Sequence, residues 1–185
     1  AHAIVSCAAG NSGDNTDIYP HYPSSYDSAN IISVAAMMQN DTPCNYPGWW
    51  STCYGPTSVD LYAPGGYVLS TIPPDPPPTE PGEAYDFFYG TSMATPHVSG
   101  SAALIHSLRP SVPLYPGAPG WARGEPTVKD ILLSTVDVKP SYQGKVVSNG
   151  RLNVGAAILE LGGPVITSID AQPRFGPPPL EVTFT

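Results

Sequence analysis

Apolar positions along the chain fall into short unbroken runs, separated by stretches rich in proline, glycine and polar residues. Ala3–Ala9 (AIVSCAA) and Ile31–Ala36 (IISVAA) are continuous apolar runs closed by turn residues, the pattern of strands buried on both faces of a parallel sheet. Val59–Ala63 and Val68–Ile72 predict two further short strands. Ser92–Leu108 predicts a helix, with Met93, Ala94, Val98, Ala102, Leu104 and Ile105 spread around most of its circumference. A helix apolar all round is expected to be buried on every side. Pro96 falls in its first turn, where a missing N–H costs nothing. Thr127 predicts a cap for a second helix over VKDILLS, and Asn153–Leu161 predicts a third, ended by Gly162, Gly163 and Pro164.

Strands mixed with helices imply an α/β layered architecture, expected over residues 1–162. Pro73–Pro81 (PPDPPPTEP) and Pro110–Pro126 read as surface loops, the first leading toward the helix at Ser92. From residue 163 to 185 the texture changes to alternating apolar positions around a proline-rich turn, which reads as the opening strands of a separate all-β module. The N-terminal AHAIVSC has the character of a domain interior rather than a leader, and the closing LEVTFT that of an unfinished strand, so a fragment of a longer chain is expected.

Composition narrows the partners. Of 185 residues, 41% are hydrophobic and only 12% charged, with a formal net charge of −8 and seven Lys and Arg that form no cluster. Nucleic-acid and anionic-membrane partners, which require clustered cations, are excluded as expectations. No apolar run reaches the ~18–20 residues of a membrane span. Cys44 and Cys53 bracket the aromatic loop CNYPGWWSTC and are the candidates for a disulfide, which would point to an oxidising, extracellular compartment. Cys7 lies in an apolar run and reads as a small buried hydrophobe. The adjacent Trp49 and Trp50 read either as an exposed contact surface or as rings packed on that disulfide.

The chemistry concentrates in two segments. Gly90–Gly100 (GTSMATPHVSG) sets Ser92 at the mouth of the long helix, where unpaired N–H groups and about half a positive charge gather. Ala8–Gly13 (AAGNSG) sets Asn11 on a glycine-flanked turn just past a strand, a rigid donor suited to an oxyanion. These motifs, in this order, together with TSVDLYAPG, VKDILLSTVD and GRLNVGAA, resemble the subtilase family over roughly residues 1–161. The resemblance implies a three-layer subtilisin-like fold with a mostly parallel sheet between helices, here as a partial domain. It implies a secreted serine endopeptidase acting on proteins or peptides. Ser92 would be the nucleophile and Asn11 the oxyanion donor, with Ala8, Ala9, Gly10 and Thr91 touching substrate. It further implies a cis bond at Tyr19–Pro20, with Ile18 near the base of the specificity pocket. The tail resembles the start of a polycystic-kidney-disease-type β-sandwich.

The family's other catalytic residues sit in Asp-Ser/Thr-Gly and His-Gly-Thr-His motifs, and neither occurs in the chain. His97 lies five residues after Ser92, about 140° around the helix, and is not placed to serve as base. The triad Asp and His are therefore expected in a missing N-terminal half, and the chain alone is expected to be poorly soluble and inactive. No cofactor is required for the chemistry. Structural calcium is compatible with Asp14, Asn15, Asp17, Asp41 and Asp60, but their spacing matches no defined calcium loop, so no ligand is assigned. Two rivals stand beside the peptidase: a non-catalytic binding protein whose triad has decayed, and, more distantly, an α/β-hydrolase-type esterase. The esterase requires a base on a late loop, and only His97 and His106 follow the serine.

Overall fold

The computed structural model describes residues 3–73 and 84–162, together with the two-residue strands 171–172 and 183–184. Strands β1 (Val5–Ala8), β2 (Ile31–Met37), β3 (Asn45–Tyr46), β4 (Trp50–Ser51), β5 (Leu61–Pro64), β6 (Val68–Thr71) and β7 (Tyr85–Phe88) precede helix α1 (Thr91–Leu108). Helix α2 (Val128–Ser134), strands β8 (Asp137–Val138) and β9 (Gly150–Arg151), and helix α3 (Val154–Glu160) follow. The central sheet runs β1-β2-β5-β9-β8, parallel except for the β8 edge, while β3–β4 and β6–β7 form antiparallel hairpins. The expected α/β class with a mostly parallel sheet is what the chain forms. Strands β10 (Ala171–Gln172) and β11 (Thr183–Phe184) pair antiparallel, and the rest of the tail lies outside the described residues, as does Pro74–Pro81 of the proline-rich loop.

Alternation along β2 explains the unbroken apolar run. Ile32, Val34 and Ala36 face one cluster with Ala94, Val98 and Ile105 of α1 and Ile131 and Leu132 of α2. Ala35 and Met37 face a second cluster with Tyr62, Tyr142 and Val146. Both faces of the strand are covered, so its residues are apolar apart from the small, buried Ser33. Helices α1, α2 and α3 all contribute to the first cluster, and the chain around Tyr142 covers the other face. Thr127 caps α2 through a full capping box, accepting from the Asp130 N–H while Asp130 accepts from the Thr127 N–H, and Asn153 caps α3.

Three expectations are corrected here. Helix α1 buries a single stripe of Thr91, Ala94, Val98, Ser101, Ala102 and Ile105, while Pro96, Ser99, Gly100, Ala103 and Leu104 are exposed. That outer side, which also carries Ser92, His97, His106 and Ser107, has no covering layer among the described residues. The cis bond lies at Tyr22–Pro23, not Tyr19–Pro20; the two Tyr-Pro pairs are identical locally, and the second is the one that enters the turn closed by Ser25 N–H donating to the His21 carbonyl. Cys44 and Cys53 are both free and buried. The Thr52 N–H donates to the Cys44 carbonyl, so Cys44 faces Thr52 and not its neighbour. Cys44 packs with Ala36 and Ala63 on the helix side, and Cys53 packs with Ala9 and Ala35 on the opposite side. A sheet stands between the thiols, and the inference of an oxidising compartment from this pair falls with the bridge. Burial pushes the Cys44 thiol up to about 12, so it is protonated and inert at neutral pH. In denaturant without reductant, all three cysteines should titrate as thiols; recovery of a single thiol would restore the disulfide.

The sheet also encloses a charge pair. Asp60, just before β5, accepts the Ser33 N–H at 2.7 Å and faces the Lys129 ammonium at 3.7 Å, which in turn donates to the Ile31 carbonyl. Burial raises the Asp60 pKa above the ordinary carboxylate value, and Lys129 opposes that rise. Because the folded-state pKa is the higher one, the cost of ionising Asp60 appears as pH climbs through it and vanishes below the unfolded value. Lys129→Met strands that carboxylate and should destabilise the protein by roughly 3 kcal/mol at neutral pH. The deficit should shrink at a pH near the ordinary carboxylate value of about 4, which lies below the raised pKa of Asp60. Denaturant midpoints measured at both pH values check this, and a deficit indifferent to pH would contradict it.

Candidate active site

Ser92 owes its position to two glycines. Gly90 is the residue before α1 and adopts φ 139°, a conformation that side chains rarely tolerate. Its N–H donates to the Gly65 carbonyl at the end of β5. Gly65 itself has no room for a side chain: a Cβ there would lie 2.5 Å from the Ala36 Cβ and 2.7 Å from the Gly90 carbonyl. The close approach of β5 and the start of α1 therefore requires glycine on both sides. The helix begins at Thr91, so Ser92 is its second residue, exposed at the surface.

Asn11 follows β1 and is oriented from that same helix start. Its Oδ1 accepts the Thr91 N–H at 2.9 Å and the Thr91 hydroxyl at 3.1 Å, and the Thr91 Oγ1 accepts the Gly10 N–H at 3.3 Å. A backbone N–H can only donate, so the carboxamide oxygen must be the atom facing Thr91. The NH₂ group is left on the open side, beside Gly90, where a Cβ would approach Nδ2 to 3.3 Å. Within the first turn, the Thr91 N–H is taken by Asn11 and the Met93 and Ala94 N–H groups by the Gly90 carbonyl. The Ser92 N–H is left without an acceptor among the described residues. Two unengaged donors, one from a carboxamide and one from a helix terminus, thus accompany one exposed hydroxyl. Such a set can stabilise an oxyanion.

The remaining candidates distribute as follows. Thr91 is 1% exposed and commits its hydroxyl to Asn11, so it positions Asn11 from within the protein. Ala9 and Gly10 are buried and Ala8 half-buried, presenting backbone next to Asn11. Ile18, expected near the specificity pocket, is 65% exposed; the side chains that meet Gly10 are Cys53 and His21, the Sγ 3.0 Å and the ring 3.3 Å from where a Cβ of Gly10 would lie. His97 contacts the Met93 carbonyl through Nδ1 at 2.9 Å, and no hydrogen bond joins His21, His97 or His106 to Ser92. Asp41 is held by Lys139 and Arg151, Asp17 by the Thr57 and Ser58 N–H groups, and Asp60 by Lys129. Among the described residues no three His, Cys, Asp or Glu converge as a metal site, and no helix is long and apolar enough to cross a membrane. Sequence reasoning missed Gly65, Gly90 and His21; the Gly-Gly pair after Pro64 and the glycine before Thr91 were the available signals.

Comparisons with known proteins give the family. The family model described as the subtilase family matches residues 1–154. Thermitase of Thermoactinomyces vulgaris is 33% identical over 156 residues, covering 84% of this chain and 44% of the relative. Subtilisin of Bacillus pumilus is 34% identical over 157 residues, covering 83% and 46%. Subtilisin-like protease 2 of Plasmodium falciparum is 31% identical over 163 residues, covering 87% of this chain but 11% of that protein. A chain from a study of subtilase cytotoxin SubAB assembly superposes with TM-score 0.60 at 25% identity, covering 85% and 48%. The prenylagaramide maturation protease PagA superposes with TM-score 0.59 at 26% identity, covering 87% and 51%. The chain spans about half or less of each of these relatives. With its family model matched from residue 1 to 154, the chain belongs to the subtilase family.

Proposed function

We propose that the parent protein is a secreted serine endopeptidase and that this chain carries its nucleophile and oxyanion hole. The observation that supports this most is the orientation of Asn11 by Thr91, which leaves its NH₂ and the Ser92 N–H both free beside the Ser92 hydroxyl. In the proposed reaction the Ser92 Oγ attacks the carbonyl carbon of a peptide bond while its proton passes to a histidine outside these residues. The oxygen of the tetrahedral intermediate, now negative, lies between the Asn11 NH₂ and the Ser92 N–H. Collapse expels the amine, which takes the proton from the histidine, and water then hydrolyses the acyl-enzyme by the same steps. All of these steps use side-chain and backbone groups; no cofactor is invoked.

The surface of the chain supports a division of the catalytic domain. Among the described residues strand β1 is an edge of the sheet, with Val5 43% exposed, and nothing covers the outer side of α1. An open apolar cavity of about 550 Å³ lies beside the nucleophile's helix, lined by Val68, Leu69, Phe88, Met93 and Pro96 among others. These surfaces match what a second half, bearing the triad Asp and His, would cover. The tail from residue 163 is proposed to open a β-sandwich module. A fluorophosphonate probe should label Ser92 rapidly in the full-length protein and at no more than background in the 185-residue chain alone. Equal labelling of both would remove the need for an external base, and no labelling of the full-length protein would favour the binding-protein reading.

A further inference from the structure

Behind the turn that carries Asn11 sits a group of side chains that peptide hydrolysis does not use. Cys53 is a free thiol, 1% exposed. Its N–H donates to the Gly10 carbonyl at 2.9 Å, and its Sγ lies 3.0 Å from where a Cβ of Gly10 would be. The His21 ring reaches that same point, with Cγ and Cδ2 both at 3.3 Å. The sulfur is also 3.2 Å from the Ser12 hydroxyl, which is bonded in turn to Asp14 Oδ2. Ser12, Asp14 and His21 are all exposed, so the buried sulfur lies directly beneath the surface.

The directions of these bonds give the thiol an outlet for its proton. A carboxylate only accepts, so the single Ser12 hydroxyl proton is committed to Asp14. The Ser12 oxygen is then left to accept from the Cys53 S–H. A chain of donors therefore runs from the thiol through Ser12 to an exposed carboxylate. The other two cysteines have no such outlet. Cys7 meets only the Val5 carbonyl, and burial raises its pKa. Burial likewise pushes Cys44 up to about 12. A thiolate selects soft cations, and a closed-shell monovalent ion is satisfied by one sulfur and one imidazole nitrogen. Zinc, which takes four ligands, is not served, because no third His, Cys, Asp or Glu converges here among the described residues.

We propose that Cys53 and His21 form a site for a soft monovalent cation, copper(I) or silver(I), and that filling it disables the oxyanion hole. As the sulfur takes the cation, its proton leaves through Ser12 and Asp14 to solvent, and nothing is oxidised. Both donors rest on Gly10, whose N–H is held by Thr91 and whose neighbour is Asn11. Drawing the sulfur and the ring onto a shared ion shifts Gly10 and pulls the carboxamide away from Thr91. The switching rests on the peptidase reading, whereas the binding does not.

The test separates the two. Full-length protein carrying Ser92→Ala is titrated with silver nitrate in chloride-free buffer by calorimetry. Cys53→Ser, which keeps a hydroxyl toward Ser12, should remove one equivalent of bound silver with little change in thermal midpoint. His21→Phe keeps a ring against Gly10 and should weaken that equivalent by at least the roughly tenfold that loss of an outer-shell partner costs. With Ser92 intact, that equivalent should lower kcat by about 10²-fold, the scale known from subtilisin for a lost oxyanion donor, with KM little changed. Dithiothreitol should restore turnover, and the Cys53→Ser enzyme should keep its own silver-free rate. An equivalent that survives Cys53→Ser, an affinity indifferent to His21→Phe, or inhibition unchanged by Cys53→Ser would each overturn the assignment, as would a filled site that leaves kcat unaltered. Binding that depends on both residues, in a full-length protein with no turnover at all, would support the site and sink the peptidase reading alone.

Discussion

Replacing Ser92 with alanine should abolish peptide hydrolysis by the full-length protein, with kcat falling on the order of 10⁶-fold, a scale already set by subtilisin. The hydroxyl is the only group at the start of α1 able to form the acyl-enzyme, and no neighbouring side chain can substitute for it. Met93, the next residue, carries a thioether, and the Thr91 hydroxyl is buried and bonded to Asn11. The substitution should leave folding intact, because Ser92 is exposed and its side chain makes no hydrogen bond among the described residues. Steady-state turnover and the thermal midpoint, measured on one preparation, separate the two effects. Retention of more than about a thousandth of the activity with an unchanged midpoint would place the nucleophile elsewhere.

The second large effect concerns Asn11. Asn11→Leu removes one of the two proposed oxyanion donors and should lower kcat by about 10²–10³-fold, again the scale known from subtilisin, with KM little changed. Leucine also strands the Thr91 N–H, so a loss of activity alone would not separate chemistry from structure. Asn11→Asp provides the separation. Its carboxylate still accepts both bonds from Thr91, which should preserve stability, yet it puts negative charge where the oxyanion must form. The aspartate variant should therefore be stable and at least as inactive as the leucine one. An active Asn11→Asp enzyme would show that the oxyanion lies elsewhere.

What was legible in the sequence was local. The continuous run at Ile31–Ala36 became a parallel strand buried on both faces, whereas Ala3–Ala9 became a parallel strand at the sheet edge with Val5 exposed. Thr127 and Asn153 became caps because capping depends on a few adjacent residues. The pairing of Ser92 with Asn11 was legible only through the motifs that carry both. What failed depended on partners distant in the chain or absent from it. The spacing of Cys44 and Cys53 is compatible with a bridge, but spacing does not record that a sheet passes between them. The composition of α1 reports an apolar circumference and not what covers it. Trp49, Tyr89 and Tyr67 were visible as letters, yet the contacts that join their rings arise only where two hairpins meet.

The bond from the Thr91 N–H to the Asn11 carboxamide spans 80 residues of chain. Contacts of such sequence separation close late, after the entropy of the intervening loop has been overcome. A nascent or partly refolded molecule would hold its hydroxyl ready on an early-forming helix while the carboxamide still swings freely. The carboxamide proposed to bind the oxyanion would then be among the last parts of the fold to be fixed.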